Sequence, residues 1–357
     1  MGRKLVHQSF FVEKKVAVVV LNWNGKALLQ RYLPSVVEAM PDYGKLYVAD
    51  NASTDDSVLY IQKEFPQVEI IQNKENFGFA TGYNLALKSV TEPYLILLNS
   101  DIECPKGWVE PLIEFMDKNP TVGACQPKII DDANRDKFEY AGASGGFIDF
   151  LGFPFCRGRI FNELEVDEGQ YNHNTPIFWA TGACFVVRKK VFDKLGGFDD
   201  DLFAHMEEID LCWRIQRLGY DIFCIPASRI YHLGGGTLKK LNPKKTYLNF
   251  RNNLICILKN MDTEDLKRRL LLKLLMDGIA GIKFLLEGSP LHTISVIRAH
   301  LYVYFHFSSI LRKRKQLKKE LGYHPMPTIY QESIVFKHFL FRVNRFSELN
   351  FSAYRTR

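Results

Sequence analysis

Short apolar runs alternate with helix-spaced apolar positions through the first part of the chain. The runs occupy residues 16–21, 45–49 and 68–72, and a fourth run covers 94–98. Each of the first three is followed by a segment in which apolar residues recur at helical spacing. This alternation predicts an α/β fold with a mainly parallel central sheet and right-handed crossovers. The fourth run is unbroken, which predicts a central strand that is buried on both faces.

Three of the predicted strands end in polar residues, namely Asn22, Asp50 and Asp101. The carboxyl ends of parallel strands share one edge of the sheet, where ligands bind in open α/β folds. A carboxylate such as Asp101 suits a divalent ion that carries a phosphorylated substrate, and Asp50 can accept hydrogen bonds from a base or ribose. An Asx turn after the strand is an equally good explanation of the Asn99-Ser100-Asp101 triplet alone.

The chain lacks the glycine patterns of the common phosphate loops. No GxGxxG follows the first strand, and GxxxxGK[ST] occurs nowhere in the sequence. The dinucleotide and P-loop modes of binding are therefore not supported. The three strand ends together predict a nucleotide pocket in which a divalent ion at Asp101 supplies the counter-charge for phosphates.

Four motifs carry a resemblance to a known family. They are residues 18–25 (VVVLNWNG), 48–55 (VADNASTD), 76–84 (NFGFATGYN) and 97–101 (LLNSD). In this order they resemble the family 2 glycosyltransferases, and more narrowly the bacterial rhamnosyltransferase-like members with the GT-A nucleotide-sugar fold. The resemblance extends over residues 14–260.

The resemblance implies a nucleotide-diphosphate sugar donor, a divalent metal (Mg²⁺ or Mn²⁺) and an inverting direct displacement. It places Asp50 on the base, Asn22 beside the nucleotide and Asp101 on the metal. Asn99 stands where the family usually has the first Asp of its DxD motif. The nucleotide-sugar-binding residues that the resemblance implies are Leu21, Asn22, Asn24, Asp50, Asn51, Gly78, Phe79, Ala80, Asn84, Asn99 and Ser100.

An acidic cluster in the second half is the candidate for the general base. Glu207, Glu208 and Asp210 lie at a probable helix start, where carboxylates are also favoured by the helix dipole. Asp210 and Arg214 are spaced for an i,i+4 ion pair. The resemblance implies that Glu208, where the family usually has Asp, takes the proton from the acceptor hydroxyl. It also implies acceptor-side or supporting positions for Trp179, Gly182, Glu207, Asp210 and Arg214.

Three further features of the second half have two interpretations each. A lone histidine near a strand end is more often structural, but the resemblance makes His232 a second metal ligand, ahead of a glycine hinge at residues 234–236. The glycine-rich and aromatic segment 142–155 is predicted to be either a mobile cover over the site or an irregular surface loop. Arg251 is predicted to face the phosphates or the surface.

The C-terminal part differs in charge and pattern. Residues 261–357 contain 17 Lys and Arg against 8 Asp and Glu, whereas residues 1–260 contain 30 against 32. Apolar residues recur there at helical spacing, but the longest uncharged run, residues 299–311, is shorter than the roughly 18 residues that span a bilayer. Six cations follow within residues 312–319. We expect amphipathic helices that lie on an anionic membrane surface, or that pack on the catalytic part and leave a solvated basic end.

The composition indicates the class of protein and the redox environment in which it works. The chain is 46% hydrophobic and 24% charged, which is typical of a globular protein. Its seven cysteines include no CxxC pair, so we expect reduced thiols and neither a disulfide framework nor a structural zinc site. Residues 1–11 lack the apolar core of a signal peptide. We therefore expect a cytoplasmic protein that is peripheral on the inner face of the cytoplasmic membrane.

These observations give one domain organisation and one preferred function. We expect an N-terminal lead at residues 1–13 and a catalytic domain at 14–260, divided into a nucleotide-sugar half (14–130) and an acceptor half (131–260). A basic helical region follows at 261–357, and its helices also offer a surface for oligomerisation. The preferred function is inverting transfer of a sugar, with dTDP-rhamnose as first donor, to a hydroxyl of a growing lipid-linked cell-surface glycan.

Two other functions are alternatives to this one. A sugar-nucleotidyltransferase should have an early glycine-rich loop with Arg and Lys for a triphosphate, and none occurs. A non-catalytic binder of nucleic acid or membrane through the C-terminal part is the second alternative. Its aromatic residues precede the cations in a block instead of alternating with them, so we expect no nucleic-acid partner.

Overall fold

The computed structural model describes residues 13–234, 242–261, 266–322, 324 and 326–351. The strands are β1 (Val16–Asn22), β2 (Gly44–Asp50), β3 (Glu69–Gln72), β4 (Tyr94–Asn99), β5 (Ile102–Glu103), β6 (Val122–Asp131), β7 (Gly146–Asp149), β8 (Pro154–Cys156), β9 (Arg159–Ile160), β10 (Glu163–Leu164), β11 (Thr175–Pro176), β12 (Cys184–Arg188), β13 (Asp221–His232) and β14 (Ile329–Tyr330). The helices are α1 (Lys26–Glu38), α2 (Ser57–Glu64), α3 (Ala80–Ala86), α4 (Glu110–Lys118), α5 (Lys189–Lys194), α6 (Glu207–Arg217), α7 (Pro243–Asn260), α8 (Leu266–Leu286), α9 (Pro290–Phe305), α10 (Phe307–Leu321) and α11 (Ile334–Phe339).

The main sheet has the order β11-β13-β6-β12-β4-β1-β2-β3, with β5 paired to β13. The four strands β3, β2, β1 and β4 are parallel, as the strand–helix alternation predicts. The second half is mixed, because β12 runs antiparallel to both β4 and β6, while β13 is parallel to β6. The sheet is thus continuous from the nucleotide-sugar half into the acceptor half, and the expected division at residue 130 falls inside β6.

The unbroken apolar strands are buried on both faces. In β1, Val16, Val18 and Val20 belong to one core cluster, whereas Ala17 and Val19 belong to the cluster on the opposite face of the sheet. Successive side chains of a strand point to opposite faces, so a strand covered by helices on both sides needs apolar residues at every position.

A small second sheet replaces the loop expected at residues 142–155. Its strand order is β10-β9-β8-β7-β14. Phe147 and Phe155 are buried, and their rings lie 5.1 Å and 6.2 Å from that of Phe346. The prediction of an irregular surface loop is wrong, because the apolar partners of its aromatic residues come from a distant part of the chain. The prediction of a mobile cover stays a prediction.

The C-terminal region packs on the rest of the molecule. Val303 of α9 and Ile310 of α10 belong to the larger core cluster, and Arg314 donates to the carbonyl of Leu258 at 2.9 Å. Strand β14 joins the small sheet beside β7, so this region is not purely helical. In the described part of the chain, none of the helices has the length and apolar content needed to cross a membrane. The prediction that these helices pack on the catalytic part is therefore confirmed for the side of the region that contacts the rest of the molecule.

Candidate active site

The ends of β1, β2 and β4 lie side by side at one edge of the sheet. Asn22 is in register with Asp50, and Leu21 with Asn99. The Asn22 side chain donates to Asp50 Oδ1 at 2.9 Å and to the hydroxyl of Ser53 at 3.1 Å. The sequence prediction that these strand ends meet is confirmed, and the turns after β1 and β2 are bonded into one rim.

Asp50 is buried and organises this rim. Its Oδ2 accepts the backbone N–H of Ser53 at 2.9 Å. On the neighbouring turn, Asn24 Oδ1 accepts the backbone N–H of Thr54 at 2.7 Å. A Cβ at Gly25 would lie 2.4 Å from Asn22 Oδ1, so a larger residue there would displace the Asn22 side chain. Asp50 and Asn24 therefore shape the rim that any bound nucleotide would contact.

Two residues implied to bind the donor have internal partners. The Asn51 amide donates to the carbonyl of Gly78 at 2.8 Å and accepts from Asn73 at 2.7 Å. The Asn84 amide donates to the carbonyl of Phe198 and accepts its N–H, both at 2.9 Å. Because both ends of each amide are used, these two asparagines hold loops in place, and their implied role in binding the donor stays a prediction.

The start of α3 is joined to the segment that precedes α6. The carbonyl of Phe203 accepts the N–H groups of Phe79 at 2.9 Å and of Ala80 at 3.2 Å. Gly78 has φ +75°, and a Cβ there would meet the Phe203 ring at 2.6 Å. The motif at residues 76–84 thus contacts the segment before α6 through backbone N–H groups of Phe79 and Ala80, and Gly78 leaves room for the Phe203 ring.

Asp101 and His232 meet across the pairing of β5 with β13. The Nε2 atom of His232 lies 3.0 Å from Oδ1 of Asp101, and both side chains are buried. On the other side of the ring, Nδ1 lies 3.3 Å from Oε1 of Glu139. Burial lowers the pKa of His232, but Glu139 and Asp101 outweigh it and raise the pKa to about 10.

This pair fits a divalent ion that also binds phosphate. Within the described residues, no group of three or more His, Cys, Asp or Glu side chains is arranged to hold a metal. Two protein ligands are sufficient for Mg²⁺ or Mn²⁺ when substrate phosphates and water complete the shell. The carboxylate beside Nδ1 is the partner that metal-bound imidazoles usually have.

Sequence reasoning missed Glu139. It lies within a segment without a recognisable motif, and only the fold places it beside His232. Gly234, with φ +68°, leaves room for it, since a Cβ there would lie 2.9 Å from Oε1 of Glu139. Of the predicted glycine hinge, only Gly234 falls in the described residues, and residues 235–236 lie outside them.

Glu207 and Glu208 begin α6 after an unusual turn. Phe203, His205 and Met206 have φ of 56°, 68° and 73°. Burial raises the pKa of Glu208 to about 7, although backbone N–H groups, including that of Gly182, lower it. Burial and the neighbouring Glu208 raise the pKa of Glu207 well above its usual value. A carboxyl group with a pKa near 7 can accept a proton at neutral pH.

The turn at Gly182 and Ala183 lies between Glu208 and the Asn99-Ser100-Asp101 triplet. The N–H of Gly182 faces the Glu208 carboxylate, and the carbonyl of Ala183 accepts the N–H of Asn99 at 2.9 Å. Glu208 and the triplet that ends in Asp101 therefore border the same turn. Trp179, three residues before this turn, is fixed to β7, since its indole N–H donates to the carbonyl of Phe147 at 2.9 Å.

Asp210 and Arg214 form the predicted i,i+4 pair, with Arg214 Nε 2.8 Å from Asp210 Oδ2. Asp210 also accepts from Lys259 and Asn260, each at 2.7 Å. Opposite charges offset the effect of burial and lower its pKa. The interpretation of Asp210 and Arg214 as structural residues is confirmed by these contacts.

Residues of helix α7 hold the turn before α6 through hydrogen bonds that no sequence pattern indicated. The Asn252 amide donates to the carbonyls of Leu202, Ala204 and His205 at 2.8, 2.9 and 2.6 Å. Arg251 is buried and donates to the carbonyl of Asp201 at 3.0 Å. The surface role predicted for Arg251 is wrong, because the buried side chain holds the turn before Glu207, whereas the phosphate contact stays a prediction.

The family model described as Glycosyl transferase family 2 matches residues 17–196, half of the chain. This chain belongs to glycosyl transferase family 2. The match includes Asn22, Asp50 and Asp101, whereas Glu208 and His232 lie beyond it. The resemblance that the four motifs carry is thus confirmed at the level of the family.

The relatives of this family 2 protein include bacterial and animal enzymes. It is 26% identical over 233 residues to the N-acetylglucosaminyl-diphospho-decaprenol L-rhamnosyltransferase of Mycobacterium tuberculosis, over 60% of this chain and 75% of that protein. It is 28% identical over 234 residues to polypeptide N-acetylgalactosaminyltransferase 4 of Caenorhabditis elegans, over 62% of this chain. The alignment spans only 38% of the animal protein. The rhamnosyltransferase-like placement of the chain is confirmed by the first of these.

Two solved structures confirm the GT-A fold. The structure of GalNAc-T7 with UDP, GalNAc and Mn²⁺ matches with a TM-score of 0.53 at 19% identity, over 69% of this chain and 48% of that one. The mannosyltransferase PcManGT of Pyrobaculum calidifontis, in complex with GDP-Man and Mn²⁺, matches with a TM-score of 0.50 at 14% identity, over 87% and 81%. The chain thus spans about half the length of the first structure.

Proposed function

We propose that the protein is an inverting glycosyltransferase that moves a sugar from a nucleotide-diphosphate donor to an acceptor hydroxyl. The observation that supports this most directly is the arrangement around the Gly182–Ala183 turn. The carbonyl of Ala183 accepts the N–H of Asn99, two residues before Asp101, and the N–H of Gly182 faces Glu208, whose pKa burial raises to about 7. These contacts support a diphosphate site at Asp101 and His232 with a general base at Glu208 nearby.

The donor would lie along the sheet edge. The rim at Asn22, Asn24 and Asp50 would contact the nucleoside, and Asp101 and His232 would hold a divalent ion against the diphosphate. Bound there, the ion would supply positive charge that stabilises the leaving nucleotide diphosphate. Asn99 and Ser100 are partly exposed at the end of β4, and they would lie next to the proposed ion.

Glu208 would act on the acceptor. Its carboxylate accepts the hydroxyl proton while that oxygen bonds to the anomeric carbon from the face opposite the leaving group, and the bond to the diphosphate oxygen breaks. A single displacement of this kind inverts the anomeric centre. Burial and the neighbouring Glu208 raise the pKa of Glu207, which favours its protonated form and leaves Glu208 as the proposed base.

The finer features are proposed on the strength of the relatives. dTDP-rhamnose is the first donor to test, and the name of the mycobacterial relative indicates a lipid-linked acceptor. We propose that this protein also extends a lipid-linked cell-surface glycan, at the inner face of the cytoplasmic membrane.

A transfer assay with product analysis tests the function. UDP-, dTDP- and GDP-sugars are supplied with Mn²⁺, Mg²⁺ or EDTA, and donor binding is followed by thermal shift. One donor should bind in a metal-dependent way and give a product of inverted configuration. Glu208→Gln should lose transfer and keep donor binding, while Glu114→Gln, an exposed carboxyl on α4, serves as the matched control. Retention of configuration, or normal transfer by Glu208→Gln, would refute the mechanism.

A further inference from the structure

The helical hairpin formed by α8 and α9 presents its apolar residues outward. On α8, Ile279 is 58% exposed and Ile282 is 59% exposed, and on α9, Ile297 is 54% exposed. Their spacing is helical, so they form a continuous stripe on each helix. The apolar residues on this outer face are Leu271, Leu274, Leu275, Ile279, Ile282, Leu285, Leu286, Leu291, Ile294, Ile297, Leu301, Tyr304 and Phe305.

The inner face of the same hairpin contains buried polar groups that have partners. Lys273 pairs with Asp277 at 2.5 Å, and His300 lies 3.3 Å from the other oxygen of Asp277. His292 is hydrogen-bonded to the hydroxyl of Thr246 on α7 at 2.7 Å. A helix at the surface of a water-soluble domain normally has the opposite arrangement, with its apolar stripe toward the core. This arrangement is the one expected of a hairpin whose outer side contacts an apolar medium.

The apolar surface continues onto the segment around α11. The ammonium group of Lys283 on α8 lies 5.3 Å from the ring centroid of Phe339. Phe339, Leu340 and Phe341 are 54%, 69% and 70% exposed. Contiguous exposed apolar surface of this kind marks an interaction site in a soluble protein. We call the outer apolar residues of α8 and α9, together with residues 339–341, the outer face.

Charge around the outer face indicates what covers it. The exposed cations of α8–α10 are Lys267, Arg268, Lys283, Arg298, Arg312, Lys315, Lys318 and Lys319. The exposed carboxylates in the described residues of this stretch are Glu320 on α10 and Glu287 directly after α8. A second copy of the chain on this face would bring one cationic rim against another, which opposes association. An anionic lipid surface offers apolar chains to the stripe and negative charge to the rim.

We propose that the outer face lies in the interfacial layer of an anionic bilayer, with α8 and α9 in the plane of the membrane. The apolar stripes contact the acyl chains, and the flanking cations contact the lipid phosphates. The exposed aromatic residues Tyr304, Phe305 and Phe307, at the end of α9 and the start of α10, precede the cations that begin at Arg312. The amphipathic ring of Tyr304 is of the kind that is favoured at a membrane interface. The proposal concerns where the protein binds and does not depend on its donor.

Vesicle flotation of the full chain tests the proposal, with phosphatidylcholine vesicles and with vesicles that also contain phosphatidylglycerol. The test variant is Ile282→Glu combined with Ile297→Glu. Leu59→Glu is the matched control, since Leu59 is 65% exposed on α2, away from the outer face. Circular dichroism checks that each variant is folded, and light scattering measures oligomeric state. No donor or acceptor is present, so failure of the transfer assay leaves this test intact.

We expect the parent chain and Leu59→Glu to float with anionic vesicles and more weakly with neutral ones. The double variant should lose about a hundredfold in partition coefficient, because each buried isoleucine contributes about tenfold or more. Absence of flotation by the parent chain, or equal flotation by the double variant, would overturn the proposal. A dimer that the double variant dissociates, without vesicle binding, would overturn it in favour of a contact between copies.

Discussion

His232 Nε2 lies 3.0 Å from Asp101 Oδ1, although the two residues are 131 positions apart in the chain. The pairing of β5 with β13 produces this contact, since His232 is in register with Ile102. A carboxylate oxygen and an imidazole nitrogen that converge in a buried position form a suitable pair of ligands for a divalent ion.

Asp101→Ala and His232→Ala should each weaken metal-dependent donor binding by at least about tenfold, because each removes one of two protein ligands. Titration of Mn²⁺ in the presence of the nucleotide diphosphate, followed by calorimetry, measures the effect. His324→Ala, at an exposed histidine, is the control. Unchanged titration curves for both variants would remove this pair from the donor site.

Glu139→Gln should weaken metal binding by roughly 10–100-fold while leaving the ligands in place, because Glu139 orients the His232 ring and raises its basicity. The same substitution removes a carboxylate that raises the pKa of His232, so that pKa should fall from about 10. Histidine NMR in the absence of metal follows the titration. If neither quantity changes, Glu139 has no influence on the ring.

Glu208 should give the transfer rate a rising dependence on pH. Burial raises the pKa of Glu208 to about 7, so the carboxyl group is mostly protonated at pH 6 and mostly ionised at pH 8. Because the base acts in its ionised form, kcat should increase as pH rises through about 7. In Glu208→Gln the rate should fall by roughly 10²–10⁴-fold and the increase should disappear. A variant that keeps the parent pH profile would show that another group titrates.

Asn252→Ala should destabilise the turn before α6. Three carbonyls lose their amide donor, and each buried carbonyl without a partner costs about 1–3 kcal/mol. We expect a lower unfolding temperature and a fall in kcat that exceeds the change in donor binding, because the turn positions Glu208. Asn350→Ala, at an exposed asparagine, should change neither. Loss of stability with full kcat would restrict Asn252 to a structural role.

The repeating pattern of the first half was sufficient to predict its architecture. Strands β1 and β4 are recognisable because both of their faces are covered, which requires apolar residues at every position. Their ends meet at one edge because the strands are parallel, so the proximity of Asn22 and Asp50 follows from the pattern. The i,i+4 pair of Asp210 and Arg214 was equally predictable, since helix geometry alone determines that contact.

Contacts between distant segments could be decided only by the tertiary structure. The small sheet at β7 and β8 depends on Phe346, Glu139 depends on the position of β13, and the turn before Glu208 depends on Asn252. The sequence by itself determined the parallel sheet, the polar edge and the apolar stripes of the C-terminal helices. The folded chain decided which side of those helices faces outward, because burial of Lys273 and Asp277 against the protein leaves the apolar residues on the other side.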